Sequence, residues 1–344
     1  MSDKNIYIYG FIHTNEEETF NCAGIEGGEV YTQAYLDIAA VVSSSPSTQF
    51  DSLPKETLLL HLAAYQAVIE SVMRRHHIIP MKFGTVATGK EEVNRILKRG
   101  YNRIKLGAMA MENKMELDVV AMWSDINSVL RKIGEEAEIK RLKAEAESKS
   151  SEQRMEAGIN LGRMVKASLD ERRKRGASGI LKALGNKSEN HFIHDVMDDS
   201  MIMNAAFLID KDNKKGFESE IDDLDEKYQG ELSFRIVGPL PPYSFCTFEV
   251  RKANFSEISA ARKVLGLGEK STALKIREAY WGLSKKFHPD RHPGDADAQK
   301  RFENITKAYR LLSDYCEWEQ CSFNEEDVTA WLSFRQVTLL GAYT

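Results

Sequence analysis

Two amphipathic helical segments joined by a proline-containing loop constrain the C-terminal part of this chain more than any other feature. In both segments large apolar side chains recur every three or four residues, which is the spacing of one helix face. They are Ile276, Tyr280, Leu283 and Phe287 in the first segment and Phe302, Ile305, Tyr309 and Leu312 in the second. The intervening loop, residues 288–295, contains Pro289 and Pro293, and neither proline can continue a helix. The pattern therefore predicts two antiparallel helices that pack through their apolar faces.

The opposite face of the first of these helices is polar and basic. At about 100° per residue, Arg277, Trp281 and Lys285 lie roughly 80–160° away from the apolar stripe. We expect these three side chains to face solvent, where they are available to a partner.

Residues 256–320 resemble the J domain. The first helix would end at residues 264–267, which match the family's hydrophobic-Leu-Gly pattern. The second helix would end just before His288-Pro289-Asp290, the family's signature tripeptide, and the third helix, residues 300–314, matches almost position for position. The tripeptide alone has little specificity, but a tripeptide flanked by both helices at this spacing is specific.

The resemblance implies a partner and a binding site. In the J-domain family the tripeptide and the basic face of the second helix dock on the ATPase domain of a DnaK-type chaperone and promote ATP hydrolysis there. The matching residues in this sequence are Lys275, Arg277, Lys285, Lys286, His288, Pro289 and Asp290. Their cationic side chains would steer the domain toward an acidic surface, and the Asp290 carboxylate would accept a charged hydrogen bond.

The sequence departs from the J-domain pattern at two places. Ala261 and Arg262 replace the aromatic pair that is usual in the first helix. Trp281 and Gly282 stand where basic or helix-favouring residues are commoner, and glycine costs about 1 kcal/mol relative to alanine in an exposed helix. We expect a J domain that is weak, or one that is tuned to a single chaperone.

The rest of the chain alternates strand and helix signals and divides into segments. Residues 1–124 read as a compact α+β unit, and residues 191–250 as a second one. Between them, residues 125–190 mix acidic and basic side chains without proline, which is typical of a long helix or helical pair. Residues 251–344 would form the J domain and a C-terminal tail. The predicted fold class is α+β, with two ferredoxin-like subdomains linked by a long helical segment and followed by an all-α J-domain hairpin.

Four segments of this larger part resemble the gas vesicle protein family GvpF/GvpL. They are residues 7–11, 79–86, 203–209 and 238–245, in the order and at the distances that the family shows over about residues 5–250. The resemblance implies an accessory or minor component that contacts the small hydrophobic shell protein during gas vesicle assembly. An exposed strand edge or an apolar groove would suit such a client.

Together the two resemblances predict a gas vesicle assembly accessory protein that binds the shell protein and other accessory proteins and recruits a DnaK-type chaperone. The alternative is a J-domain cochaperone with an unrelated client. The net charge of −5 and pI near 6.0 argue against a nucleic-acid partner. The longest apolar runs are too short for a membrane span, so we expect a protein of the cytoplasm and the gas vesicle.

The sequence contains none of the common catalytic motifs, since it has no GxSxG, P-loop, HExxH or dinucleotide fingerprint. It predicts neither an enzyme nor a cofactor or metal site. The basic run at residues 172–175 suggests an anionic partner, although a solvated helical face balanced by Asp170 and Glu171 is the favoured alternative. The cysteines lack metal-ligand spacing, and we expect all of them to be free thiols. They are Cys22, Cys246, Cys316 and Cys321.

Overall fold

The computed structural model describes residues 5–45, 50, 53–147, 151–316, 320–329 and 332–337. The strands are β1 (Ile6–Ile12), β2 (Thr19–Ala23), β3 (Glu29–Tyr35), β4 (Ile38–Ser44), β5 (Ile78–Pro80), β6 (Val86–Ala87), β7 (Lys114–Trp123), β8 (Asn190–Ile193), β9 (Met201–Asp210), β10 (Leu232–Leu240), β11 (Thr247–Lys252), β12 (Lys270–Ser271), β13 (Cys321–Ser322) and β14 (Leu332–Val337). The helices are α1 (Lys55–Met73), α2 (Lys90–Ala110), α3 (Ile126–Gly134), α4 (Ala137–Glu147), α5 (Ser151–Gly185), α6 (Lys214–Tyr228), α7 (Phe255–Val264), α8 (Ala273–Phe287), α9 (Ala296–Tyr315) and α10 (Glu325–Thr329).

The N-terminal unit is an antiparallel sheet covered by a helix on each face. Its strand order is β2-β3-β4-β1-β5, and β6 also pairs with β1. Tyr7 and Tyr9 of β1 pack toward α1, whereas Ile6 and Ile8 pack toward α2. Every residue of β1 is buried, because successive side chains alternate between two covered faces. A ferredoxin-like unit has both helices on one face, so this unit departs from the ferredoxin-like prediction while keeping the α+β class.

The central unit has the ferredoxin-like arrangement that the sequence predicted. Its sheet has the order β10-β7-β9-β8, and all neighbours are antiparallel. Helices α5 and α6 supply Ile180 and Phe217 to the same apolar core, so they cover the same face of the sheet. Strand β7 belongs to this sheet, although the sequence-based division placed it in the unit ending at residue 124. The difference arises because the pairing partners of β7 all follow it in the chain.

The predicted helical segment is confirmed as a bundle of α3, α4 and the long α5. Ile133, Ile139 and Leu169 form its small apolar core. The basic run lies on α5, where Arg172 contacts Glu136 at 2.8 Å and Arg173 contacts Asp170 at 2.6 Å. These ion pairs support the alternative of a balanced helical face over an anionic partner.

The C-terminal helical unit consists of α7, α8 and α9, as predicted, but it is attached to the body at both ends. Strand β11 lies two residues before α7, and after α10 the chain returns as β14, which pairs with β11 from Thr247↔Val337 to Lys252↔Leu332. Strand β11 was predicted within the second α+β segment. Instead its Phe248 lies in the apolar core of the N-terminal unit, and the Lys82 N–H donates to the Phe248 carbonyl at 2.7 Å.

The cysteine prediction is wrong for one pair. Cys316, at the end of α9, and Cys321, at the start of β13, form a disulfide with their Cα atoms 5.4 Å apart. Cys22 and Cys246 are reduced thiols, as expected. Within the described residues, none of the helices has the length and apolar character needed to cross a membrane.

Candidate functional site

Helix α8 presents the residues predicted to bind a chaperone. It begins where the Thr272 hydroxyl accepts a hydrogen bond from the Lys275 N–H at 3.2 Å, an N-cap interaction. It ends at Phe287 because Pro289 cannot continue it, and His288 adopts an extended conformation. Ile276 is buried in the helical core, and Tyr280 stacks on Tyr309 of α9 with ring centroids 4.1 Å apart. These contacts fix which face of α8 points to solvent.

The His288-Pro289-Asp290 loop is held by local hydrogen bonds. The Asp290 N–H donates to Nδ1 of His288 at 3.2 Å, so the neutral imidazole has its proton on Nε2. The half-buried His288 ring meets the edge of Phe302 at 5.4 Å. Nε2–H of His292 donates to the Lys286 carbonyl at 2.9 Å and ties the loop back to α8. The Asp290 side chain is 87% exposed and is therefore available to a donor on a partner.

The basic residues of α8 lie on its exposed surface. Lys275, Arg277, Lys285 and Lys286 are all exposed, and Trp281 between them is 66% exposed. In the part of the chain that the structure describes, none of these four cations pairs with an acidic side chain. The structure thus brings all seven predicted site residues onto one helix and the loop that follows it.

The core of the C-terminal helical unit is packed even though Ala261 and Arg262 replace the aromatic pair that is usual in J domains. Ala261 is buried in α7, as are Ile258 of the same helix and Leu265, the residue that follows the helix. Nη1 of Arg262 lies 3.5 Å from the Leu267 carbonyl, at the turn that follows α7. Where an aromatic pair is usual, the first helix therefore has the small buried side chain of Ala261, and its aromatic contact with the core comes from Phe255 at its start.

A buried polar cluster, which the sequence analysis missed, joins the central unit to the segment before β11. Glu116 of β7 is only 2% exposed, and its carboxyl oxygens accept hydrogen bonds from the N–H and the hydroxyl of Ser244, both at 2.8 Å. Nε2 of His194 lies 3.4 Å from the Ser244 hydroxyl. Burial raises the pKa of Glu116 to about 8 and also raises the pKa of Asp118, two residues along the same strand. The available signal was two acidic residues at alternate positions of an otherwise apolar strand.

An apolar groove lies between α1 and the end of β10. Its volume is about 880 Å³. Its apolar lining consists of Met73, Met115, Val237, Pro239, Leu240 and Tyr243. Leu59 and Leu62, which precede Gln66 of the groove by about two turns and one turn of α1, are exposed by 56% and 38%. The groove and these leucines give the body an extended apolar surface.

Comparison with known proteins identifies both parts of the chain. The family model described as gas vesicle synthesis protein GvpL/GvpF matches residues 5–247. The chain belongs to the GvpL/GvpF family. The DnaJ domain model matches residues 260–319, so this GvpL/GvpF protein also carries a J domain. Both predicted resemblances are confirmed.

Individual relatives agree with this assignment. Gas vesicle protein F1 of Halobacterium salinarum is 23% identical over 72% of this chain and 95% of its own length. The crystal structure of GvpF from Anabaena superposes with a TM-score of 0.61 at 21% identity and covers 70% of this chain and 98% of GvpF, which shows a shared fold. The chaperone protein DnaJ of Chlamydia pneumoniae is 47% identical over 51 residues, 15% of this chain and 13% of DnaJ.

The buried cluster gives this GvpL/GvpF protein a pH-dependent stability. Because burial raises the pKa of Glu116 to about 8, we expect folded protein to hold this proton at pH values where the unfolded chain, with the ordinary pKa of 4.5, has released it. The free energy of unfolding should therefore fall as pH rises from the unfolded to the folded pKa, by up to about 1.4 kcal/mol for each pH unit. Because Glu116→Gln removes the ionisation, we expect the variant to match wild type near pH 5 and to be a few kcal/mol more stable at pH 8. Urea unfolding across this range measures the difference.

The matched control is Glu112→Gln, because Glu112 is exposed just before the same strand. This control should change stability little and equally at every pH. If Glu116→Gln lowers stability by the same amount across the whole range, the buried carboxyl is not protonated in the folded protein.

Proposed function

We propose that this chain is a gas vesicle accessory protein that binds the small hydrophobic shell protein through its GvpL/GvpF part and recruits a DnaK-type chaperone through its J domain. The observation that carries the proposal is the presence of both families in one chain, over residues 5–247 and 260–319. We further propose that the protein has no enzymatic activity of its own and acts in the cytoplasm and at the gas vesicle, together with other accessory proteins.

The apolar surface of the body supports the client half of the proposal. A shell monomer that has not yet assembled exposes apolar surface, and holding it requires a complementary apolar surface on the accessory protein. The groove beside β10 supplies such a surface, with Val237 and Leu240 on one wall and Met73 of α1 on the other. Exposed apolar side chains continue from the groove along α1.

The charge of α8 supports the chaperone half. Its exposed cations have no acidic partner within the described residues, so an acidic surface on another protein would gain attraction at little cost in broken ion pairs. The Asp290 carboxylate at the end of the same helix adds an acceptor for a charge-assisted hydrogen bond.

A binding experiment tests the client assignment. We expect residues 1–252 to capture purified shell protein and residues 253–344 to capture none, because the apolar groove lies entirely in the first piece. The cut follows β11, so the first piece keeps the strand that packs on the N-terminal core, and relatives of this extent are whole proteins. Capture is measured on immobilised pieces of equal density.

The matched comparison is the full chain, which should bind shell protein as well as residues 1–252 do. Binding by residues 253–344 alone would contradict the proposed division of labour. Chaperone stimulation by a chain that binds no shell protein would favour the alternative, a J-domain cochaperone with an unrelated client.

A further inference from the structure

Trp281 is an exposed aromatic side chain in the middle of a basic helix face. It is 66% exposed, and the ring of Tyr280, 6.4 Å away, is its aromatic neighbour within the described residues. Arg277 and Lys285 precede and follow it by four residues, so the three side chains form one line along α8. An indole that packs little against the helical core leaves apolar surface exposed to water, which is unfavourable. A partner that covers the ring would remove this unfavourable free energy.

Gly282 follows Trp281 in the helix, about 100° around the axis, and leaves bare backbone on the surface between Glu278 and Lys286. A Cβ added there would meet no atom within 4 Å, so internal packing does not require the glycine. Its backbone is helical, a conformation in which glycine is less favourable than alanine. The helix thus accepts a destabilising residue that leaves its backbone uncovered one position after the exposed indole.

The charges around Trp281 indicate what kind of surface would cover it. Helix α8 carries the cations Lys275, Arg277, Lys285 and Lys286 against one acidic side chain, Glu278. Within the described chain these cations have no ion-pair partner, so the complementary surface is acidic. A central aromatic anchor surrounded by charged residues is the usual composition of a protein–protein hot spot, in which tryptophan and arginine predominate.

We propose that Trp281 is the specificity anchor of this J domain. Its indole would cover an apolar patch within the acidic surface of the cognate DnaK-type chaperone, and Gly282 would leave room for that surface to approach the helix. The inference rests on the proposed chaperone recruitment and adds to it the residues that select one chaperone among several.

The test is stimulation of the ATPase activity of the host DnaK-type chaperone by full-length protein, titrated to half-maximal stimulation. Trp281→Ala should raise the half-maximal concentration at least tenfold, whereas Trp281→Phe should raise it less than threefold because a ring is retained. Leu274→Ala is the matched control: Leu274 is 63% exposed on the same helix, two turns farther from the loop, and its loss should change the value less than twofold.

Gly282→Ala separates binding from stability. Alanine favours the helix, so this variant should melt at a higher temperature and yet stimulate the chaperone at least threefold less effectively. Stronger stimulation by Gly282→Ala would overturn the proposal that the uncovered backbone is used. If Trp281→Ala stimulates like wild type while His288→Gln does not, the anchor is wrong and chaperone recruitment stands; if wild type itself gives no stimulation, both are wrong.

Discussion

Full-length protein carrying His288→Gln is expected to lose its stimulation of the DnaK-type ATPase completely while remaining folded. The His288 ring rests on Phe302, and its Nδ1 accepts the Asp290 N–H, so the imidazole shapes the turn that presents the Asp290 carboxylate. Glutamine has neither the flat ring nor an acceptor fixed at that position. Steady-state ATP hydrolysis measures the loss, and thermal unfolding shows that the fold is retained, because the loop is exposed.

His292→Gln provides the matched control, since it makes the same change in the same loop. His292 donates to the Lys286 carbonyl, and a glutamine amide is able to donate there as well. This variant should keep most of the stimulation. Equal stimulation by His288→Gln and wild type would contradict the assignment of the chaperone-binding site.

Separating the chain between Lys252 and Ala253, with both pieces produced together in cells, is expected to impair gas vesicle formation severely. A short covalent connection holds a second binding event at an effective concentration in the millimolar range. Pieces present at about micromolar concentration would lose roughly a thousandfold in that concentration. Pairing of β14 with β11 over six residues remains possible after the cut, but it is then an association between two separate chains and does not restore the effective concentration of a covalent connection. Vesicle yield per cell measures the effect.

The control is the intact chain with His288→Gln, which should impair vesicle formation to a similar degree because it removes chaperone recruitment at the same place. Full vesicle yield from the separated pieces would show that the fusion is incidental. The GvpL/GvpF part would then be a self-sufficient assembly factor.

The J domain is attached to the body at both of its ends, so the connection restricts its orientation as well as its distance from the body. Only Ala253 and Asn254 separate β11 from α7, and the returning β14 pairs with β11 over six residues. Both ends of the J domain therefore meet at one strand pair, and β11 is fixed to the N-terminal core through Phe248. This geometry limits the orientations that the His288 loop can take relative to the groove.

The sequence by itself determined which faces of the C-terminal helices are buried and which are exposed. The apolar stripes of α8 and α9 and the prolines between them are local patterns, and helix periodicity turns such a pattern directly into a buried face and an exposed face. Arg277, Trp281 and Lys285 were predicted to face solvent for this reason, and all three are exposed. The alternation of strand and helix signals in the body was also available from sequence, because β-branched and apolar runs are local signals as well.

Only the tertiary structure decided which strands pair and what surrounds the buried acids. An apolar strand specifies that its faces are covered, but it does not specify the partner that covers them. For this reason β7 was assigned to the wrong sheet, and the pairing of β14 with β11 was not foreseen. The raised pKa of Glu116 likewise comes from burial that only the tertiary structure creates, and this burial outweighs the two hydrogen bonds from Ser244, 128 positions later in the chain, which lower that pKa.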